Sequence, residues 1–235
     1  MNKRSNIIHY KSKSWEKSVT ILLNESIENI LTIYNRCSVM LTGGETMKRI
    51  YDYWTINPPN SNKKVVFYFG DERAVSPEDS ESNFWLAKNH FVKNNSFINQ
   101  IFRMETEMID LEQSAILYEK ILPESIDILL LTLGEDGHIA SIFPNSILFD
   151  KNTRKVMPII APKIPSLRLT ITPFFIKSAK NIFLFVRGAS KGKILARSFI
   201  DTSNIKSLPV RLVLNGNLIM DDEAYFEFKN YTNNE

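Results

Sequence analysis

Four short, almost unbroken apolar runs recur along the chain: SVMLT at 38–42, KVVFYF at 64–69, DILLLTL at 127–133 and NIFLFV at 181–186. Runs of this length without polar alternation suit strands covered on both faces, which is the condition of a parallel sheet. Segments with helical spacing separate them, at 81–94, 110–121 and 190–200. Ahead of the first run, Trp15, Val19, Leu22, Leu23, Ile27, Ile30, Leu31 and Tyr34 recur at three- and four-residue steps, the stripe of an amphipathic helix. Strand and helix therefore alternate, and the expected fold class is α/β: a Rossmann-like layered sandwich around a mostly parallel central sheet. Further strands are expected at 101–105, 155–160, 167–172 and 210–214, some of them antiparallel. Pro58-Pro59 and the neighbouring Asn and Ser residues read as a surface loop.

At 235 residues and 43% hydrophobic content the chain closes one core, and with no linker or repeat in it 1–235 reads as a single domain. A formal net charge of +3 demands neither nucleic acid nor an anionic membrane as partner, and suits a small anionic ligand. The lone Cys37 has no intramolecular disulfide partner and sits in an apolar stretch, where a buried, inert thiol is expected. The opening MNKRSNIIHYKSKSW lacks the apolar run of a signal peptide, and no run of about 18 apolar residues crosses a bilayer. A cytoplasmic location is the expectation.

In open α/β sheets ligands collect beyond the carboxyl ends of the strands, so the loops after the apolar runs bear the chemistry. The first, Thr42-Gly43-Gly44-Glu45-Thr46, pairs two glycines with a helical stretch through Tyr51, whose first amides are free for an anion. It lacks the Lys of a nucleotide P-loop and the third glycine of a dinucleotide fingerprint. The second, Gly70-Asp71-Glu72-Arg73, puts two acids and an arginine directly after a buried strand, and Asn83 further on caps a helix or touches ligand. The third, Gly134-Glu135-Asp136-Gly137-His138, presents His138 between glycines with Asp136 close enough to orient it.

His9 and His90 have the surroundings of structural imidazoles, whereas His138 reads as a general base. An imidazole with its ordinary pKa near 6.5 accepts a proton from water at physiological pH. No second His or Cys lies at metal-ligand spacing, and no Gly-x-Ser-x-Gly elbow occurs. Arg168 and Thr170 project from one face of an alternating strand, and Gly188 leads through Ser190 to Lys191 at another strand-to-helix turn; together these positions suit a phosphate.

In this order LTGGET, FGDERAVSPEDSESNF, LGEDGHIASIFPNS, RLTITP, GASKGKIL and LPVRLVLNG resemble the blocks of the 6-phosphogluconolactonase family, within the larger group that includes the glucosamine-6-phosphate deaminases. The resemblance spans about 38–216, and the Asp-Glu-Arg and Asp-Gly-His-x-Ala-Ser-x-Phe-Pro blocks are its specific parts. It implies a lactonase-like fold and hydrolysis of 6-phosphoglucono-1,5-lactone to 6-phosphogluconate in the oxidative pentose phosphate pathway, without a cofactor or metal. Its implied catalytic residues are His138, Asp71 and Arg73, with Asp136 orienting. Gly43, Gly44, Thr46, Arg168 and Lys191 fall to substrate and phosphate. Whether Asp71 moves protons or orients Arg73 stays open. The implied partner is a small sugar phosphate, with no nucleic acid or membrane, and the chain is expected as a monomer or weak homo-oligomer.

Glu45 stands where a small hydroxyl residue is usual, Met47 where proline is common and Asn145 where glycine is usual. The alternatives are an amino-sugar phosphate deaminase/isomerase and a non-catalytic sugar-phosphate sensor. In the deaminase a carboxylate follows the histidine in the same loop; here 139–149 contain none, and Phe143 occupies that place. In the sensor a DNA-binding segment is usual, and the first 37 residues show no helix-turn-helix.

Overall fold

The computed structural model describes residues 5–59, 64–92, 100–108, 110–150, 153–200 and 204–233. The apolar runs form the strands β2 (Cys37–Leu41), β3 (Val65–Phe69), β6 (Ile128–Thr132) and β9 (Asn181–Val186). With β1 (Asn6–His9), β5 (Ile101–Phe102) and β10 (Asn217–Met220) they make a seven-stranded sheet in the order β1-β10-β9-β6-β2-β3-β5, and every pair in it is parallel. Alternate residues feed opposite cores. Val39 and Leu41 pack into one with the stripes of α1 (Trp15–Ile33) and α2 (Glu45–Trp54), and Met40 packs into the other. The second core takes apolar residues of α4 (Leu111–Ile121), α6 (Ala189–Ile200) and α7 (Asp222–Asn233). Burial on both faces explains why these strands read as continuous apolar runs. Cys37 is buried in β2, and burial pushes its thiol up to about 12, so it is inert.

A second, antiparallel sheet of three strands runs β4 (Asp71–Arg73), β8 (Leu167–Ile171), β7 (Val156–Ile160). β4 follows β3 after the single residue Gly70, so the small sheet hangs from the carboxyl edge of the large one. Because side chains alternate along a strand, Asp71 and Arg73 share a face and Glu72 takes the other. Glu72 is buried and accepts hydrogen bonds from the amides of Arg73 (2.8 Å), Asn83 (2.7 Å) and Phe84 (2.8 Å) and from Ser82 Oγ (2.9 Å). It thereby anchors the start of α3 (Asn83–Ala87), while burial raises its carboxyl above the usual range against the pull of those bonds. Glu72→Ala leaves four donors, two of them in fully buried hydrogen bonds, without their acceptor, and a loss of about 2–4 kcal/mol is expected in denaturant unfolding. A midpoint unchanged from wild type would contradict this anchoring role.

Several expectations need correction. Residues 210–214 are not a strand. Pro209, which lacks an N–H, opens a 3-10 helix (Pro209–Val213) whose Val210 and Val213 are buried three residues apart. The strand that completes this side is β10, four residues further on. The strand expected at 101–105 is only two residues long. The helix expected at 81–94 is α3 followed by a π-helical turn, Lys88–Val92, which buries both Phe91 and Val92; residues 93–94 lie outside the described residues. Pro58 and Pro59 lie outside any helix or strand, and Asn60 to Asn62 lie outside the described residues. The cap of α3 is Ser82, whose Oγ accepts from the Trp85 amide at 3.1 Å, and not Asn83.

Candidate active site

The chain lays β2 and β3 to one side and then returns to place β6 on β2's other edge. At such a reversal the loops after the two neighbouring strands diverge and leave a crevice at their carboxyl ends. A cavity of about 320 Å³ lies there, walled by Thr42, Gly43 and Gly44 after β2 and by Gly134, Glu135 and His138 after β6. Asp71, Arg73 and Arg168 enter from the small sheet, Lys191 from the first turn of α6, and Asn83 from α3. This volume falls at the small end of ligand pockets. Gly43, Gly44, Asp71, Arg73, His138, Arg168 and Lys191 are thus brought together. Thr46 is not among the lining residues and is buried in the first turn of α2; Asp136 stands behind His138. Glu45 is exposed and pairs with Arg49 at 3.4 Å, so its carboxylate points away from the cavity.

His138 Nδ1 hydrogen-bonds to Asp136 Oδ1, which leaves Nε2 as the nitrogen able to take a proton. Burial opposes ionisation of Asp136, but its hydrogen bond to His138 and the pairing of its other oxygen with Lys163 at 3.2 Å hold it well below the usual carboxylate range. The imidazole lies so close to the backbone that a Cβ at Gly134 would sit 2.0 Å from Nδ1; only glycine fits. Across the loop Gly43 does the same for Asn83, where a Cβ would sit 1.8 Å from Oδ1. The Phe143 ring stacks on His138 with centroids 4.6 Å apart, and Arg168 lies 5.6 Å from the same ring centroid.

Asp71 is buried, and both its oxygens already accept hydrogen bonds, one from Ser141 Oγ at 2.6 Å and one from Asn83 Nδ2 at 3.2 Å. Arg168 Nη1 donates to the same Ser141 Oγ at 3.3 Å and Nε to the Pro165 carbonyl at 2.8 Å. Arg168 also stands directly opposite Arg73 in the β4–β8 register. Like charges facing across strands repel, and burial, reinforced by Arg73, lowers the Arg168 pKa. Such an arrangement makes an anion welcome. Arg73 Nε and Asn83 Oδ1 are buried without a hydrogen-bond partner among the described residues, so this wall holds unspent pairing capacity. Lys191 makes no ion pair or hydrogen bond with a described residue, and burial lowers its pKa.

Ser141, within the His138 block, and Lys163 carry no signal of a role in the sequence. Their side-chain partners Asp71, Asp136, Phe143 and Arg168 lie on other segments of the chain, so no local spacing could reveal them. His9 and His90 hydrogen-bond to Asp222 (2.9 Å) and Asp52 (2.6 Å), away from the cavity.

Residues 11–220 match the sequence model of the family described as glucosamine-6-phosphate isomerases/6-phosphogluconolactonase. The chain belongs to this family. Among its relatives, the 6-phosphogluconolactonase of Chlamydia pneumoniae is 31% identical over 205 residues, covering 86% of this chain and 76% of its own. A 6-phosphogluconolactonase from Shewanella baltica superposes with a TM-score of 0.84 at 19% identity over 94% of this chain and 99% of its own. A monomeric glucosamine-6-phosphate deaminase superposes nearly as well, with a TM-score of 0.80 at 18% identity over 94% of this chain and 99% of its own. At these identities the superpositions establish the family's fold and do not choose between its two reactions.

Proposed function

We propose that this protein hydrolyses 6-phosphoglucono-1,5-lactone to 6-phosphogluconate in the cytoplasm, as part of the oxidative pentose phosphate pathway. The observation that carries the reading is His138, held by Asp136 and opening on a cavity whose walls also carry Arg73, Arg168 and Lys191. Where the deaminase reading calls for a carboxylate, the Phe143 ring packs against the base. That ring offers no second acid–base group for moving protons between carbons, whereas lactone hydrolysis needs only one.

In this reading His138 Nε2 takes a proton from water as the water oxygen bonds to C1. The carbonyl oxygen becomes an oxyanion, stabilised by Arg73 and the backbone amides of the glycine loops. The oxyanion then collapses, the bond from C1 to the ring oxygen breaks, and the imidazolium returns its proton to that oxygen. Arg168 and Lys191 grip the phosphate together with the free first-turn amides of α6, and this remote binding orients the carbonyl. Asp71, with both oxygens accepting from Ser141 and Asn83, acts as an anchor that holds the Arg168 side of the site through Ser141.

The test supplies the purified protein with freshly generated 6-phosphogluconolactone and, separately, with glucosamine 6-phosphate. Hydrolysis above spontaneous opening, without ammonia release from the amino sugar, is the expected outcome. Ammonia release without lactone hydrolysis would reverse the assignment.

A further inference from the structure

The turn between β7 and β8 reaches the loop of the base through a side chain that the proposed reaction does not use. Lys163 Nζ lies 3.2 Å from Asp136 Oδ2, while Asp136 Oδ1 takes the hydrogen bond of His138 Nδ1. The same ammonium stands 5.8 Å from the centroid of Phe143, the ring on which His138 stacks. Lys163 therefore meets the surroundings of the imidazole twice, from a segment distant in sequence.

A carboxylate bonded to an imidazole has two consequences. It fixes the ring's orientation and tautomer, and its charge stabilises the imidazolium. The second works against a general base, which must be neutral to accept a proton. A cation on the carboxylate's other oxygen offsets that charge and leaves the orienting hydrogen bond in place.

We propose that Lys163 is a positioning residue that clamps Asp136 and keeps His138 in its neutral, proton-accepting form, an inference that rests on reading His138 as the base. The other charged groups facing His138 across the cavity are Glu135 on its own loop, Asp71 and Arg73 on β4, Arg168 on β8 and Lys191 on α6. Among the described residues, only His138 and Lys163 form ion pairs with Asp136. Replacing Lys163 therefore removes the clamp without removing any of those five charges. Its side chain is about half exposed, so the substitution leaves no buried void.

The experiment follows the imidazole by NMR as pH is varied, in wild type, Lys163→Met and Lys163→Arg. The chain has three histidines, and the spectrum of His138→Ala identifies the resonance that belongs to this one. Loss of the cation favours the imidazolium, so the His138 midpoint in Lys163→Met should rise by about half a pH unit at low ionic strength, less as salt screens the pair. Lys163→Arg should keep the wild-type midpoint. The acid limb of the kcat profile of Lys163→Met should move the same way, with the plateau at higher pH retained. A midpoint that stays put or falls overturns the inference. So does a KM raised only for the phosphorylated lactone with an unmoved titration, which would make Lys163 a phosphate contact. Wild-type turnover in His138→Ala removes the base reading whatever the titrations show. Loss of turnover there, with an unmoved midpoint in Lys163→Met, removes only the role of Lys163.

Discussion

His138→Ala is expected to lower kcat for 6-phosphogluconolactone by about 10²–10⁴-fold, the contribution of a positioned general base. The spontaneous opening of the lactone must be subtracted from every trace, because it sets the floor against which the residual rate is read. The fold should survive the change. The imidazole lies at the cavity wall with its side chain 20% exposed, and its removal leaves Asp136 still paired with Lys163. Far-UV circular dichroism and a denaturation midpoint close to wild type would show that the loss is chemical. Because the base acts on bound substrate, KM should change far less than kcat. Turnover at the wild-type level would remove the mechanism, and Asp136 and Phe143 would then be structural partners of a structural histidine.

Lys191→Ala is expected to raise KM for the phosphorylated lactone by about 10–100-fold, the loss of one charge-assisted contact. Unphosphorylated gluconolactone, which offers nothing for the ammonium to hold, should show little change between variant and wild type. Lys191 suits this comparison better than Arg168. The guanidinium of Arg168 is tied to Ser141 and the Pro165 carbonyl, so its removal disturbs the small sheet as well as the ligand. Lys191 makes no hydrogen bond or ion pair with a described residue, and burial already works against its charge. Equal effects on the two lactones would refute the phosphate assignment.

The central strands β2, β3, β6 and β9 were legible because they are buried on both faces, and burial of that kind writes an unbroken apolar run into the sequence. The 210–214 segment misled for the same reason: Val210 and Val213 are buried, but as neighbours on a 3-10 helix, and apolarity alone does not distinguish the two periods over five residues. β1 and β4 escaped notice because they are four and three residues long and carry polar or charged side chains. The adjacent acids Asp71 and Glu72 looked alike as letters. The pleat separates them, turning Asp71 to the cavity and Glu72 to the start of α3.

The amino-acid sequence by itself determined the layered α/β class, the loops at which chemistry collects and the singular surroundings of His138. All of these depend on local pattern: hydrophobic period, glycine placement and position after a strand. Only the tertiary structure decided that Arg73 faces Arg168, that Ser141 ties Asp71 to Arg168 and that Lys163 shares Asp136 with His138. Such contacts join residues that are far apart in the chain, and their energies depend on distance and burial, neither of which exists until the two sheets are packed together.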